Sequence, residues 1–276
     1  MTAVSEPALV STAALPEVEF LGVRLCTLDK AQVARWIEAR PLDAPFAYFV
    51  TPNAQHFVLL DRKADARFTA AYDGAVMRLC DSQVARGLAR ALFGLDLPLV
   101  AGSDLTAWLF THTVKPDDAI TVIGGSDELA RRLRGDFGLT RLAMHVPPMG
   151  FIRDPAAVAA CVRFVQDNPA RYVFFAVGSP QSEILASEVA RAPGVTGFGL
   201  CIGGSLLFIT GLSRRAPEVW RRMGLEWLYR LLANPRGHAK RVFVDSLPLL
   251  SIVAREAAAR RRGGARKEGG SKERDG

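Results

Sequence analysis

Apolar runs of strand length alternate with stretches of helical period along most of the chain. Strands are predicted at residues 47–50, 76–80, 120–123, 142–146, 172–177 and 195–202. Helices are predicted at residues 30–39, 54–62, 83–93, 104–112, 127–137, 155–167 and 180–191. Because the strands are too apolar to face water and alternate with helices, the pattern predicts an α/β fold with a mainly parallel sheet and helices on both faces.

One uncharged stretch, residues 192–213, is 22 residues long and could be mistaken for a membrane span. It contains six glycines, at positions 194, 197, 199, 203, 204 and 211. This glycine content favours a buried strand, a Gly-Gly turn and a second short element.

Four predicted strands end in turns that suit an anionic ligand. In open parallel sheets, ligands bind beyond the carboxyl ends of the strands, where helix N-termini favour phosphate. The turns contain Asn53 as a helix cap, Gly124 and Gly125, Ser179 as a cap with Pro180 as first helical residue, and Gly203 and Gly204. Glycine allows backbone N–H groups to approach a diphosphate. Together the turns predict a ligand the size of a nucleotide.

Asp81 follows the second predicted strand and precedes a helix, so it is a candidate either for a general base or for a helix cap. The chain lacks the G-x-S-x-G, P-loop and G-x-G-x-x-G motifs, which argues against three common enzyme classes. It also lacks Asp-x-Asp, and its four histidines stand alone. No metal site and no cofactor are therefore predicted, and arginines and backbone N–H groups would have to stabilise a leaving diphosphate.

The charge is uneven along the chain. From Leu212 onward there are 16 Lys and Arg against 7 Asp and Glu, whereas the residues before it carry a net charge of −2. A basic tail can simply be solvated, or can contact a phospholipid surface or nucleic acid. Few aromatic residues lie among the terminal charges and no nucleic-acid module is recognisable, so nucleic acid is not predicted as a partner.

Within this basic region, residues 218–233 and 240–262 both combine an apolar stripe with arginines or lysines. Such a stripe can pack on a core, lie in a membrane interface or join subunits of a homo-oligomer. Two successive segments of this kind favour an anionic membrane surface.

The domain organisation follows from these observations. We expect a disordered leader at 1–18, a catalytic domain at 19–211, a basic amphipathic helical appendage at 212–262 and a disordered tail at 263–276. The leader lacks a basic start, and the four cysteines are widely spaced, so neither a secretory signal nor a disulfide framework is indicated. A reducing, cytoplasmic location is expected.

Several motifs together resemble the WecG/TagA/CpsF family of bacterial glycosyltransferases. They include Thr51-Pro52-Asn53, the stretch 100–105, Gly178-Ser179-Pro180, Arg215-Ala216-Pro217 and the specific run Gly-Leu-Glu-Trp-Leu-Tyr-Arg at 224–230. The resemblance covers residues 20–250. It implies a Rossmann-like domain with a C-terminal appendage on the inner face of the cell membrane. It also implies inverting, metal-independent transfer from a UDP-sugar to a polyprenyl-diphosphate-linked glycan.

The same resemblance implies roles for individual residues. Asp81 would be the base, Thr51 and Asn53 would lie beside the sugar and nucleobase, and Gln181 and Glu183 would contact the donor. The appendage residues Arg215, Arg222 and Arg230 would lie over the diphosphate.

This chain departs from the family's pattern at three places. It has Asp81-Ser82 for Asp-Gly, Pro180-Gln181-Ser182-Glu183 for Pro-Lys-Gln-Glu, and Leu206-Leu207-Phe208 for Phe-Asp-Phe. These departures leave a second hypothesis open, namely a UDP-sugar-binding pseudoenzyme or regulatory module that has lost the chemistry.

Overall fold

The computed structural model describes residues 14–244 and 246–272, without the side chains of residues 222, 230, 237, 238, 241, 242 and 261–272. The strands are β1 (Glu17–Phe20), β2 (Val23–Cys26), β3 (Ala47–Val50), β4 (Met77–Arg78), β5 (Ala119–Gly124), β6 (Arg141–His145), β7 (Tyr172–Ala176) and β8 (Phe198–Cys201). The first two form an antiparallel hairpin. The other six form a parallel sheet in the order β4-β3-β8-β7-β5-β6.

The helices cover both faces of the sheet. They are α1 (Lys30–Ala39), α2 (Ala54–Arg62), α3 (Ala66–Gly74), α4 (Gln83–Phe93), α5 (Gly102–His112), α6 (Asp127–Phe137), α7 (Pro155–Asp167), α8 (Gln181–Arg191), α9 (Ser205–Ile209), α10 (Glu218–Arg222), α11 (Glu226–Ala233), α12 (Pro235–Phe243) and α13 (Leu249–Lys272), with a 3-10 turn at Phe151–Arg153. The predicted α/β fold is confirmed.

Alternate residues of each central strand belong to two separate cores. In β7, Val173 and Phe175 pack in one cluster with residues of α2, α3, α7 and α8, whereas Tyr172 and Phe174 pack in the other with residues of α1, α5 and α6. All four side chains are at most 1% exposed. This burial on both faces explains why the strands read as continuous apolar runs.

The uncharged stretch at 192–213 forms β8, the turn at Gly203 and Gly204, and the short helix α9, as its glycines predicted. Among the described helices, none is long and apolar enough to cross a membrane.

The sequence did not predict the β1–β2 hairpin. Its first strand includes Glu17 and Val18, so the predicted disordered leader at 1–18 is wrong at these two residues. Arg78 at the end of β4 holds the hairpin in place, because its guanidinium donates to Glu17 at 2.5 Å and to the Arg24 carbonyl at 2.6 Å. The hairpin thus covers the edge of the sheet beside β4.

The C-terminal region returns to the body of the protein. Leu249, Ile252 and Val253 of α13 are at most 6% exposed and belong to the same core cluster as α2 and α4. The predicted appendage is therefore not separate from the core along its whole length. Its backbone stays helical to Lys272, past the expected start of disorder at Gly263, and residues 273–276 lie outside the described residues.

Gly197, just before β8, offers a test of this packing. Its φ is +95°, and an added Cβ would lie 2.0 Å from the Ala170 carbonyl oxygen. We expect Gly197→Ala to lower the free energy of unfolding by at least about 2 kcal/mol, since both strain and a backbone clash oppose it. Gly87→Ala, within α4 where a Cβ meets nothing within 4 Å, should instead stabilise by about 1 kcal/mol. Urea denaturation of both variants checks this, and equal effects would contradict it.

Candidate active site

A cavity of about 660 Å³ lies at the carboxyl ends of β4, β3, β8 and β7. This volume falls within the range of about 300–1,000 Å³ that is typical of small-ligand sites. Seven of the predicted site residues line it, namely Thr51, Asn53, Asp81, Glu183, Gly203, Gly204 and Arg215. Residues of the C-terminal region also line it, including Arg221, Glu226, Trp227, Leu247 and Leu250.

Thr51 and Asn53 leave β3 and enter α2. The Thr51 hydroxyl donates to the Cys201 carbonyl at 3.2 Å, which joins the ends of β3 and β8. Asn53 caps α2 as predicted, because its Oδ1 accepts from the N–H groups of Gln55 at 3.0 Å and His56 at 3.4 Å. This cap occupies the amide oxygen, so a ligand contact would have to use the amide nitrogen.

Asp81 is not the cap of the helix that follows it. Ser82 caps α4, since its hydroxyl accepts from the Ala85 N–H at 3.1 Å. The Asp81 carboxylate instead accepts from the N–H of Gly102, the first residue of α5, at 3.4 Å. Its own N–H donates to the Pro52 carbonyl at 2.9 Å. These bonds hold the carboxylate at the cavity wall between two chain segments.

Burial raises the pKa of Asp81 to about 7. The Gly102 N–H and Arg215 oppose the rise, whereas the negative charges of Glu226 and Asp104 add to it. A carboxyl group with a pKa close to neutrality can accept a proton from an alcohol and release it again, which is the requirement for a general base at physiological pH.

Two arginines of the C-terminal region meet Asp104 at the same wall. Arg215 Nη1 lies 2.6 Å and Arg221 Nη1 3.3 Å from Asp104 Oδ1. Although burial opposes it, the hydrogen bond from Arg215 and the charges of both arginines lower the pKa of Asp104. The Nε atoms of both arginines are buried without a hydrogen-bond partner. Each arginine therefore has an N–H donor that no protein acceptor uses.

Arg221 was not predicted as a site residue, because the apolar spacing of residues 218–233 indicated one continuous helix. Gly224, with a φ of +72°, separates α10 from α11, so the faces of the two helices do not continue into each other. The resemblance had suggested Arg222 and Arg230 instead, whose side chains lie outside the described residues.

Gly124, Gly125 and Gln181 do not line the cavity. Gly124 is the last residue of β5 and Gly125 follows it, and β5 lies beyond β7 from the cavity. A Cβ on Gly124 would lie 2.7 Å from the Ala176 carbonyl oxygen, and one on Gly125 would lie 2.8 Å from Leu129 Cδ2. Close packing and positive φ therefore explain these glycines without a ligand. Pro180, and not Ser179 as predicted, occupies the N-cap position of α8, where it makes no side-chain capping bond, and Gln181 is the first residue of the helix.

Glu183 lies deeper in the cavity wall than Asp81, in the first turn of α8, and is 3% exposed. Burial raises its pKa to about 7, although its own backbone N–H and the nearby Ser179 hydroxyl oppose the rise. Ser179 Oγ is close enough to act on this charge, yet neither it nor Glu183 Oε2 makes a hydrogen bond of acceptable geometry.

Both raised pKa values predict that stability falls with increasing pH. Because the folded protein holds these protons up to about pH 7 and the unfolded chain loses them near pH 4, each ionised carboxyl destabilises the fold above that window. We expect Asp81→Asn and Glu183→Gln to raise the melting temperature by several degrees at pH 8, and by less at pH 5. Melting curves at both pH values test this, and a pH-independent difference from the wild type would contradict it.

The site residues all lie in the part of the chain that matches one known sequence family. Residues 18–263 match the family described as the glycosyl transferase WecG/TagA/CpsF family. The match covers most of the 276 residues and includes the segments that carry Asp81, Glu183, Arg215 and Arg221.

Proposed function

Because the chain belongs to the WecG/TagA/CpsF family of glycosyl transferases, which acts in cell-surface polysaccharide biosynthesis, we propose that it is an inverting, metal-independent enzyme. The donor is a UDP-sugar and the acceptor is a polyprenyl-diphosphate-linked glycan. The sugar transferred is a hexose or an N-acetylhexosamine. The observation that carries the proposal is the position of Asp81, a carboxyl group of near-neutral pKa at the wall of a nucleotide-sized cavity.

In the proposed reaction, the Asp81 carboxylate takes the proton of an acceptor hydroxyl. The hydroxyl oxygen attacks the anomeric carbon of the donor sugar, and a new C–O bond forms as the bond from that carbon to the diphosphate oxygen breaks. A single displacement of this kind inverts the anomeric configuration. Thr51 follows β3, which pairs with β4, the strand before Asp81. Thr51 would position the sugar.

The departing diphosphate carries negative charge that the site must stabilise. Arg215 and Arg221 are suited to this because Asp104 holds both and leaves their Nε donors unpartnered. The N–H groups of the turn at Gly203 and Gly204 would provide further donors. Arg222 and Arg230 are still predicted to bind the diphosphate of the UDP-sugar.

The first test replaces the proposed base. We expect Asp81→Asn to reduce turnover by about 100-fold or more, because general-base catalysis contributes roughly that factor, and to change donor affinity only a few-fold. Mass spectrometry would detect transfer from a panel of UDP-sugars to polyprenyl-diphosphate-linked mono- and oligosaccharides without added metal.

The matched control is Asp96→Asn, on an exposed residue that does not line the cavity and should leave turnover unchanged. Near-normal turnover of Asp81→Asn would remove Asp81 as the base. Binding of a UDP-sugar by the wild type, without transfer to any acceptor, would instead support a pseudoenzyme.

We further propose that the C-terminal region contacts the inner face of the cell membrane, where the acceptor resides. Its apolar side chains are unusually exposed: Val219 is 66%, Met223 64%, Leu232 64% and Phe243 57% exposed. Leu247 and Leu250, about half exposed, line the cavity, so the C-terminal region also presents exposed apolar side chains at the site itself. Arginines and lysines in the same region complement anionic headgroups.

Paired substitutions test this contact. We expect Leu232→Ser with Phe243→Ser to weaken binding to vesicles containing anionic lipid by about tenfold or more, because each apolar side chain contributes roughly 1.5–3 kcal/mol when buried. Leu42→Ser is the control. Leu42 is also exposed, at 62%, but it precedes β3 and so lies on the side of the strands' amino ends, opposite the cavity. Vesicle co-sedimentation gives the measurement. Equally strong binding to neutral vesicles at high salt would contradict an electrostatic contribution.

A further inference from the structure

A second acidic residue in the cavity lacks the partners that a buried carboxyl group normally has. Glu183 Oε2 and Ser179 Oγ are both buried without a hydrogen-bond partner, and both residues line the cavity. Buried polar groups are nearly always paired, because an unsatisfied buried donor or acceptor is destabilising. Ser179 immediately precedes the N-terminus of α8 and Glu183 lies in its first turn. A carboxyl oxygen and a hydroxyl group therefore lie side by side.

The surroundings of Glu183 differ from those of the other cavity acids. Asp104 pairs with two arginines and Asp81 accepts a backbone N–H, whereas no ion pair among the described residues involves Glu183. The N-terminus of α8 supplies a partial positive charge, and burial still keeps the pKa of Glu183 near 7. A ligand that donates a hydrogen bond to Oε2 would supply what the protein does not.

The position of Glu183 indicates which part of a ligand it meets. Asp81 follows β4 and Glu183 follows β7, with β3 and β8 between them. Since neighbouring strands lie about 4.8 Å apart, the ends of β4 and β7 are about 14 Å apart across the sheet. Arg215 and Arg221 act near Asp81, because Arg215 influences its pKa and both bind Asp104. Glu183 therefore lies at the end of the cavity away from the proposed reaction.

The space between these ends is open. Gly203 has a φ of +53°, and an added Cβ there would meet no atom within 4 Å. Gly178, before Ser179, also lines the cavity and would leave a Cβ without contacts. The turns after β7 and β8 thus leave room for a ligand to reach Glu183.

We propose that Glu183 Oε2 and Ser179 Oγ form a subsite for a vicinal diol of the donor, one hydroxyl donating to the carboxyl oxygen and the other bonding to the serine. This inference rests on the proposed nucleotide-sugar donor. A nucleotide sugar offers such a diol on its ribose and on its sugar ring. The ribose fits the far end of the cavity better, because the diphosphate separates it from the anomeric carbon.

The test measures binding by calorimetry, independently of any acceptor. The probes are UDP, 2′-deoxy-UDP and a UDP-hexose, titrated into wild type, Glu183→Gln and Ser179→Ala. We expect the wild type to bind 2′-deoxy-UDP about tenfold more weakly than UDP. Glu183→Gln should bind UDP about tenfold more weakly than the wild type and should no longer distinguish the two ligands. Ser179→Ala should weaken UDP binding several-fold.

Glu188→Gln is the matched control, because Glu188 is on the same helix, pairs with Arg191 and does not line the cavity. A melting curve of each unliganded variant separates lost binding from lost folding. If Glu183→Gln weakens only UDP-hexose, the diol belongs to the sugar ring. Equal affinity of wild type and Glu183→Gln for all three probes would overturn the subsite and leave the proposed function intact. Failure of the wild type to bind any uridine nucleotide would overturn the proposed donor and, with it, the subsite.

Discussion

Parallel pairing of six strands, with helices packed on both faces, confines the polar chemistry of this protein to the strand ends. Apolar side chains of the central strands are buried in the two cores, as Val173 and Phe174 illustrate. All six strands of this sheet point the same way, so the turns after β3, β4, β7 and β8 meet at the carboxyl ends of the strands. Thr51, Asp81, Glu183 and the turn at Gly203 come together for this reason, although they are far apart along the chain.

The acids of the cavity divide according to their partners. Asp104 has two arginines, and its pKa is lowered. Asp81 and Glu183 lack a cation in hydrogen-bond contact among the described residues, and burial raises both pKa values to about 7. A paired carboxylate serves to position its partners, whereas an unpaired one exchanges protons or accepts a ligand's hydrogen bond. One cavity therefore contains acids of both kinds.

The C-terminal region completes the site and is tied to the body at two places. Arg215 and Arg221 bind Asp104 near its start, and α13 returns to the core through Leu249 and Val253, beside an ion pair between Arg255 and Asp61. The exposed apolar side chains lie between these attachments, on α10 to α12. Since Trp227, Leu247 and Leu250 of the same region line the cavity, a surface here that contacts lipid would border the site, which suits an acceptor that stays in the membrane.

Local patterns in the sequence were sufficient for the elements with a strong period or a clear cap. Five of the seven predicted helices have the observed bounds, and Asn53 caps α2, because hydrophobic spacing and capping depend on neighbouring residues. The hairpin at β1 and β2, the partner of Asp81 at Gly102 and the approach of Arg221 to Asp104 were not predictable. Each depends on contacts between distant segments, and Gly224 changes the direction of the chain before α11. The sequence alone thus placed the residues at the ends of strands, and only tertiary packing decided which of them share a cavity and which charges remain unpaired.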